Sequence, residues 1–402
     1  MKYVLVVGDG MADEPLGTLG GRTPLEVSRT PNMDFFAKNG VVGLVRTIPK
    51  GMPAGSDVAN MSLMGYSPQT YYTGRAPLEA ASMGLEVGPD DVAFRCNLVT
   101  LEESHGSLSM ADYSGGSIPT QRAGAYIQAL NKSLAGTEFR FYPGVSYRHV
   151  LLWRGAHARF EGLETTPPHD ILGQPVDSYL PSGAGSRELR ALMDQARNVM
   201  LAHASSPANE GSAGEANAIW LWGQGGRPRM PPLHQRFGLR GVAVSAVDLI
   251  KGLGRCAGLD SVEVPGATGD LETNYQGKAY AVIQALKEVD FAFLHVEAPD
   301  EASHRGNLQE KIEAIERLDE EVLGVLRKGL AKMKMSYRLM VLPDHLTPLR
   351  IRTHSDTPVP FLVYPEGPSL CASFSEREAE RSGIYIADGS KILDRLFQVQ
   401  EG

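Results

Sequence analysis

The apolar positions of this chain alternate between two patterns. "KYVLVV" is an unbroken apolar, β-branched run stopped by "GDG", which predicts a strand buried on both faces and ending in a turn. "TPNMDFFAKNG" then has helical spacing and closes on Asn39-Gly40, a common way for a helix to end. "GLVRTI" predicts a second strand, and "PAGSDVANMSLMGY" a turn that opens another helix. The alternation returns toward the C-terminus, where "RGVAVSA", "DFAFLHVE", "YRLMVLPD" and "PVPFLVYPE" predict strands. Between the second and third of these, Leu308, Ile312, Ile315, Val322, Leu326 and Leu330 recur at helical spacing and form one apolar stripe. Strand, helix and strand there make a parallel crossover. The fold class predicted is α/β, with a doubly wound, mostly parallel sheet.

The middle of the chain breaks this rhythm. "FRCNLVTL" and "HVLLWRG" predict strands among hydrophilic loops, and "HASSPANEGSAGEANA" has the Ser, Ala, Gly and Asn content of a mobile loop. The expected organisation is a catalytic domain built from 1–87 and 237–402, with 88–236 inserted as a second α+β domain.

Composition narrows the class. A length of 402 residues fits one large or two modest domains. With 42% hydrophobic and 21% charged residues, disordered and fibrous classes are excluded. A net charge of −8 argues against nucleic acid or an anionic membrane as partner, while leaving room for a local site for a small anion. Cys96, Cys256 and Cys371 are far apart and form no C-x-x-C pair, so neither a disulfide framework nor a zinc-thiolate site is expected. The N-terminal apolar run ends at Asp9 before a signal-peptide core forms, and no run has the length a bilayer needs. The reading is a cytoplasmic protein.

Ligands of α/β sheets bind at the carboxyl ends of strands, so polar residues just after each predicted strand are the candidates for chemistry. Asp9 follows the first strand. "APDEASH" follows another and places Asp300 and His304 one helical turn apart. "PDH" brings Asp344 and His345, and "RTHSD" adds His354. Each residue alone reads as a cap, a turn or an ordinary histidine. Three aspartates and three histidines at matched positions instead suggest metal binding. Mixed carboxylate and imidazole donors suit ions of the manganese or zinc type, and the number of donors exceeds one tetrahedral site, so two ions are expected. Ser56, where "AGSDVAN" turns into a helix, is a plain N-cap on its own. Beside metals it becomes a candidate nucleophile at a phosphate-binding helix start.

Ser56 and this donor set resemble the alkaline phosphatase superfamily. The segments "GDGMADEPLGTLGGRTPLE", "PAGSDVANMSLMGY", "YYTGRAPLEAASMG", "FYPGVSYRHVLLW", "APDEASHRGN" and "THSDTPVPF" together resemble the cofactor-independent (2,3-bisphosphoglycerate-independent) phosphoglycerate mutases in their shorter, archaeal-type form. The resemblance implies an alkaline-phosphatase-like fold and one ion held by Asp300, His304 and His354. It implies a second ion held by Asp9, Asp344, His345 and the Ser56 oxygen. Manganese is expected, with zinc, magnesium or cobalt as alternatives. It also implies that Ser56 takes up the phosphoryl group and returns it to the other hydroxyl of glycerate, a step of glycolysis and gluconeogenesis, with the inserted domain as a lid. The partner is then a small phosphorylated substrate. Arg148 and Arg75 are candidates to hold its anionic groups, with His149, Asp112 and Lys278 as further candidates for orienting it or moving protons. Two departures bear on the substrate. The archaeal mutases tend to read "GSDTAH" and "DRRAGRI" where this chain has "GSDVAN" and "DYSGGSI". A phosphotransferase acting on homoserine or another small alcohol, and a phosphomonoesterase, are the alternatives.

Overall fold

The first strand, Lys2–Gly8, sits near the middle of an eight-stranded sheet. Val4, Leu5, Val6 and Val7 are fully buried, which explains why this strand carries no polar alternation. Its neighbours are Phe291–Val296 on one side and Tyr337–Leu342 on the other, both parallel to it. Gly241–Val244 and Asp260–Ser261 extend the sheet in parallel beyond Phe291–Val296. Beyond Tyr337–Leu342 lies Val359–Tyr364, which runs antiparallel both to it and to Val41–Val45, with Tyr385–Ile386 at the edge. The computed structural model describes residues 1–104, 106–205, 216–366 and 371–398. Most of the loop expected at 203–218 lies outside them.

The stripe read at 308–330 is one helical run with a change of winding in it. Leu308–Arg317 is α-helical, Leu318–Leu323 is a π-helical segment, and Gly324–Lys332 is α-helical again. Ile315, Val322, Leu326 and Leu330 are buried as expected, while Leu308 and Ile312 are only half-buried. The π segment adds Leu318 and Leu323 to the buried set and points Asp319 inward. The Asp319 carboxylate accepts hydrogen bonds from the backbone N–H of Asn32 (3.1 Å) and Met33 (2.7 Å), at the start of the helix Pro31–Lys38. Thr30, the N-cap of that helix, makes no side-chain cap of its own.

The chain divides into two compact units, Met1–Tyr72 with Arg229–Gly402, and Thr73–Pro228. These seams differ from the expected ones at 87/88 and 236/237. The helix Arg75–Ser82 goes with the second unit because Ala76 and Ala80 pack with Ala93, Val150 and Leu152 of that unit's sheet. The stretch after Pro228 goes with the first because the Tyr66 hydroxyl donates to Pro231 O (2.6 Å) and Arg236 bonds Gly65 O.

The second unit has its own five-stranded antiparallel sheet, centred on the long strand Val92–Ser104. Its core includes Phe94, Trp153 and Trp220 together with apolar residues of the helices Thr120–Ser133 and Ser186–Ala204. Its two ends run side by side. The Thr73 hydroxyl donates to Gly226 O (2.7 Å). A Cβ on Gly74, at φ +134°, would lie 2.0 Å from Gln224 O, and one on Gly225 would lie 2.1 Å from Thr73 O. Only glycine allows two backbones to approach so closely.

Candidate metal centre

Seven side chains singled out by the sequence converge at the carboxyl edge of the eight-stranded sheet, each delivered by a simple local device. Asp9 directly follows the first strand and is 1% exposed. The short helix Ala298–His304, with Pro299 in its first turn, sets Asp300 and His304 four residues apart on one face. Val359–Tyr364 returns antiparallel beside Tyr337–Leu342, so the loop between them leaves and re-enters at the same edge and brings Asp344, His345 and His354 with it. Ser56 is the first residue of the helix Ser56–Leu63, with Gly55 as N-cap.

The side chains form two clusters. In the first, Asp300 Oδ2 lies 3.0 Å from His304 Nε2 and 3.6 Å from His354 Nε2, and the two imidazole nitrogens are 3.1 Å apart. In the second, His345 Nε2 lies 3.0 Å from Ser56 Oγ, 3.3 Å from Asp344 Oδ2 and 3.5 Å from Asp9 Oδ1. Two donors about 2.1 Å from one ion are themselves roughly 3.0–3.4 Å apart, so both clusters have the spacing of a coordination shell.

Electrostatics favour cations here. Asp9, Asp300 and Asp344 are all buried, and among the described residues their ion pairs run only to histidines. Burial, followed by the charges of Asp344 and Asp300, pushes the Asp9 carboxyl well above its ordinary value. Burial would raise Asp300 too, but hydrogen bonding to His304 and His354 and the charges of His345 and His354 hold it well below the usual carboxylate range. Hydrogen bonding to Asp300 in turn lifts His304 to about 9. Asp9 Oδ1 is buried without a hydrogen-bond partner. Crowded carboxylates, an orphaned oxygen and imidazoles turned inward fit divalent cations.

A second layer holds the donors in place. The hydroxyl of Thr347, itself fully buried, donates a short hydrogen bond to Asp300 Oδ1 and lies 3.2 Å from His345 Nδ1. Asn60 Nδ2 donates to Asp344 Oδ2 (2.8 Å), and the backbone N–H of Gly10 donates to Asp344 Oδ1 (3.2 Å). Asn60 stands where the resembling archaeal mutases tend to have histidine, so the departure "GSDVAN" keeps a donor facing the carboxylate. Gly10 has φ +59°, and a Cβ there would lie 2.5 Å from both Asp300 Oδ1 and Thr347 Oγ1. The sequence reading missed Asn60, Thr347 and His295. Asn60 sits one helical turn after Ser56, Thr347 two residues after His345, and His295 inside an apolar strand. Only Asn60, one turn from the candidate nucleophile, carries a local signal.

The candidate substrate residues are distributed differently. Arg75, Asp112, Arg148 and His149 belong to the second unit. Arg75 Nε pairs with Glu79 (3.1 Å), which also binds the nearly buried Arg95 (2.9 Å), and the Arg95 guanidinium lies 4.0 Å above the Trp222 ring. Arg148 is exposed beside the Tyr147 ring. Asp112 is engaged locally, accepting from Ser114 N and Oγ (2.6 Å each) and Gly116 N (3.1 Å), so it shapes the "DYSGGSI" turn. His149 is buried, and its Nδ1 accepts from Gly144 N (3.0 Å). Lys278, expected to face either the site or solvent, is 1% exposed, and its Nζ lies 3.4 Å from His295 O and 3.5 Å from Thr268 O. Burial lowers its pKa to about 8.

No helix among the described residues is long and apolar enough to cross a membrane. The model of the family "2,3-bisphosphoglycerate-independent phosphoglycerate mutase" matches residues 37–205. A protein of Geobacter sulfurreducens named "Probable 2,3-bisphosphoglycerate-independent phosphoglycerate mutase" is 48% identical over 402 residues, covering 99% of this chain and 100% of that one. A Methanothrix thermoacetophila protein named "2,3-bisphosphoglycerate-independent phosphoglycerate mutase" is 47% identical over 405 residues, at 99% and 100% coverage. Among solved structures, the PH0037 protein of Pyrococcus horikoshii superposes with a TM-score of 0.81 at 29% identity, covering 100% of this chain and 98% of that one. The cofactor-independent phosphoglycerate mutase of Thermoplasma acidophilum gives a TM-score of 0.68 at 25% identity, with 99% and 100% covered. Identity at this level, sustained from end to end, means that the chain belongs to the 2,3-bisphosphoglycerate-independent phosphoglycerate mutase family.

Proposed function

We propose that this chain is an isomerase that interconverts 2-phosphoglycerate and 3-phosphoglycerate through a phosphoserine on Ser56. The observation that carries the reading is the Ser56 hydroxyl, set at a helix start within a cluster of buried acids and imidazoles, in a member of this family. Ser56 Oγ attacks phosphorus, and the bond from phosphorus to the glycerate oxygen breaks. The other hydroxyl of the glycerate then attacks the phosphoserine, the Ser56–phosphorus bond breaks, and the serine is regenerated. Two divalent cations, manganese first, held by Asp300, His304 and His354 and by Asp9, Asp344, His345 and Ser56, supply charge neutralisation of the phosphoryl oxygens and a more acidic serine hydroxyl when bound. The free N–H groups and positive end of the Ser56–Leu63 helix favour the same phosphoryl oxygens. His345 Nε2 lies 3.0 Å from Ser56 Oγ, the separation of two atoms that would share an ion, and the proton that the serine gives up ends on the departing glycerate oxygen. Arg75 and Arg148 are proposed to hold the anionic groups of the substrate, since a guanidinium fork matches carboxylate and phosphate.

The names of the relatives do not favour the homoserine phosphotransferase or phosphomonoesterase readings. The deciding experiment is an enolase-coupled assay with Mn²⁺ and without bisphosphoglycerate, run on wild type and Ser56→Ala. Wild type is expected to turn over and the variant to fall to background. Turnover by Ser56→Ala would refute the phosphoserine. ATP-dependent phosphorylation of homoserine, or phosphate release without isomerisation, would select an alternative.

A further inference from the structure

His295 is an imidazole at the metal edge that the seven-residue set leaves out. It is the fifth residue of the strand Phe291–Val296 and is 1% exposed. Its Nε2 lies 3.1 Å from Asp9 Oδ2, yet the two make no hydrogen bond, and Nε2 has no hydrogen-bond partner among the described residues. Asp9 Oδ1, on the same carboxylate, is also buried and unpartnered. A buried polar atom left unsatisfied is destabilising, so two on touching side chains call for a physical cause. Two atoms that share an ion have this separation and point toward a common centre instead of toward each other. Asp344 completes the set, because one ligand atom from each of Asp9, His295 and Asp344 lies within 4.8 Å of the others. On the far side of the ring, His295 Nδ1 has Ser245 Oγ at 3.4 Å. A hydrogen on Nδ1, turned toward that oxygen, leaves the Nε2 lone pair free. A purely structural core histidine would satisfy both nitrogens, and here one is unpaired and the other has only a long contact.

We propose that His295 is a metal ligand, joining Asp9 and Asp344 around one divalent cation through Nε2. The donor set of two carboxylates and one neutral imidazole suits Mn²⁺ or Zn²⁺. The inference rests on the metal-dependent reading above and adds a fourth imidazole to the centre.

The test uses the full chain, stripped with a chelator and reloaded with Mn²⁺. Pulsed EPR on wild type with ¹⁵N-labelled histidine counts the coordinating imidazoles directly, without any variant. Four are expected, from His295, His304, His345 and His354, and three would overturn the proposal. Calorimetric Mn²⁺ titration of His295→Gln and His295→Ala should show at least one affinity weakened by about ten-fold or more, with one nitrogen coupling lost. Unchanged affinities in a folded variant would also overturn it. A wild type that takes up no Mn²⁺ would sink the metal reading itself, and this inference with it. Uptake with only three imidazoles sinks this inference alone.

Discussion

The hydroxyl of Thr347 has one hydrogen to give, and it goes to Asp300 Oδ1. The contact with His345 Nδ1 at 3.2 Å must then have the ring nitrogen as donor. That fixes the tautomer, so His345 Nε2 turns its lone pair toward Asp9, Asp344 and Ser56. One hydroxyl therefore orients a donor of each cluster. Thr347→Val, nearly the same shape, should weaken Mn²⁺ binding about 10- to 100-fold, while Thr347→Ser should bind like wild type. Calorimetric titration checks this, and unaltered affinity in the valine variant would remove the hydroxyl from any such role. At this scale the sequence was informative where a polar residue interrupts an apolar pattern. Asp9, Asp344 and His345 stand just past predicted strands, and Asp300 and His304 carry a four-residue spacing. Thr347 and His295 were not legible. A threonine in a loop and a histidine in a buried strand are ordinary in composition, and only the fold turns their polar atoms toward the ligands.

Among the elements, the strand directions matter most for the site. The apolar run Val359–Tyr364 was readable as a strand, but periodicity carries no direction. Its antiparallel course is what returns His354 to the edge that Asp344 leaves. Winding is hidden in the same way. The step from Ile315 to Val322 is seven residues, which an apolar stripe spans without revealing the π segment between them. That segment presents Asp319 to the backbone N–H groups of Asn32 and Met33. Asp319→Ala leaves buried helix-start donors unpaired and should cost about 1–3 kcal/mol of stability, read as a lower denaturant midpoint. A midpoint equal to wild type would mean that water or another group caps the helix Pro31–Lys38 equally well.

At the level of the whole molecule, the alternating and mixed regions of the sequence correspond to two units, though the seams lie 15 and 8 residues earlier than the pattern placed them (87 against 72, and 236 against 228). The helix Arg75–Ser82 follows the helical style of the first region but buries Ala76 and Ala80 against the second sheet, and no local pattern reports that choice. The second unit also predicts a pH response. Burial lowers the pKa of His149 from its ordinary 6.5 to about 4. Between those values the unfolded chain takes up a proton that the folded one refuses, so stability falls as pH drops through this window. The loss attributable to this ring is about 3 kcal/mol at most. Urea unfolding at pH 7 and pH 4.5 should show a smaller acid loss for His149→Gln than for wild type, and equal losses would mean that the ring is protonated in the fold.

The paired glycines at 74 and 225 have a bearing on lineage. A segment whose first residue, Thr73, bonds Gly226 two residues before its end has its entry and exit strands closed on each other. It can be lengthened, exchanged or lost in one genetic event without re-threading any strand of the host sheet, provided that the two small residues at the threshold are kept.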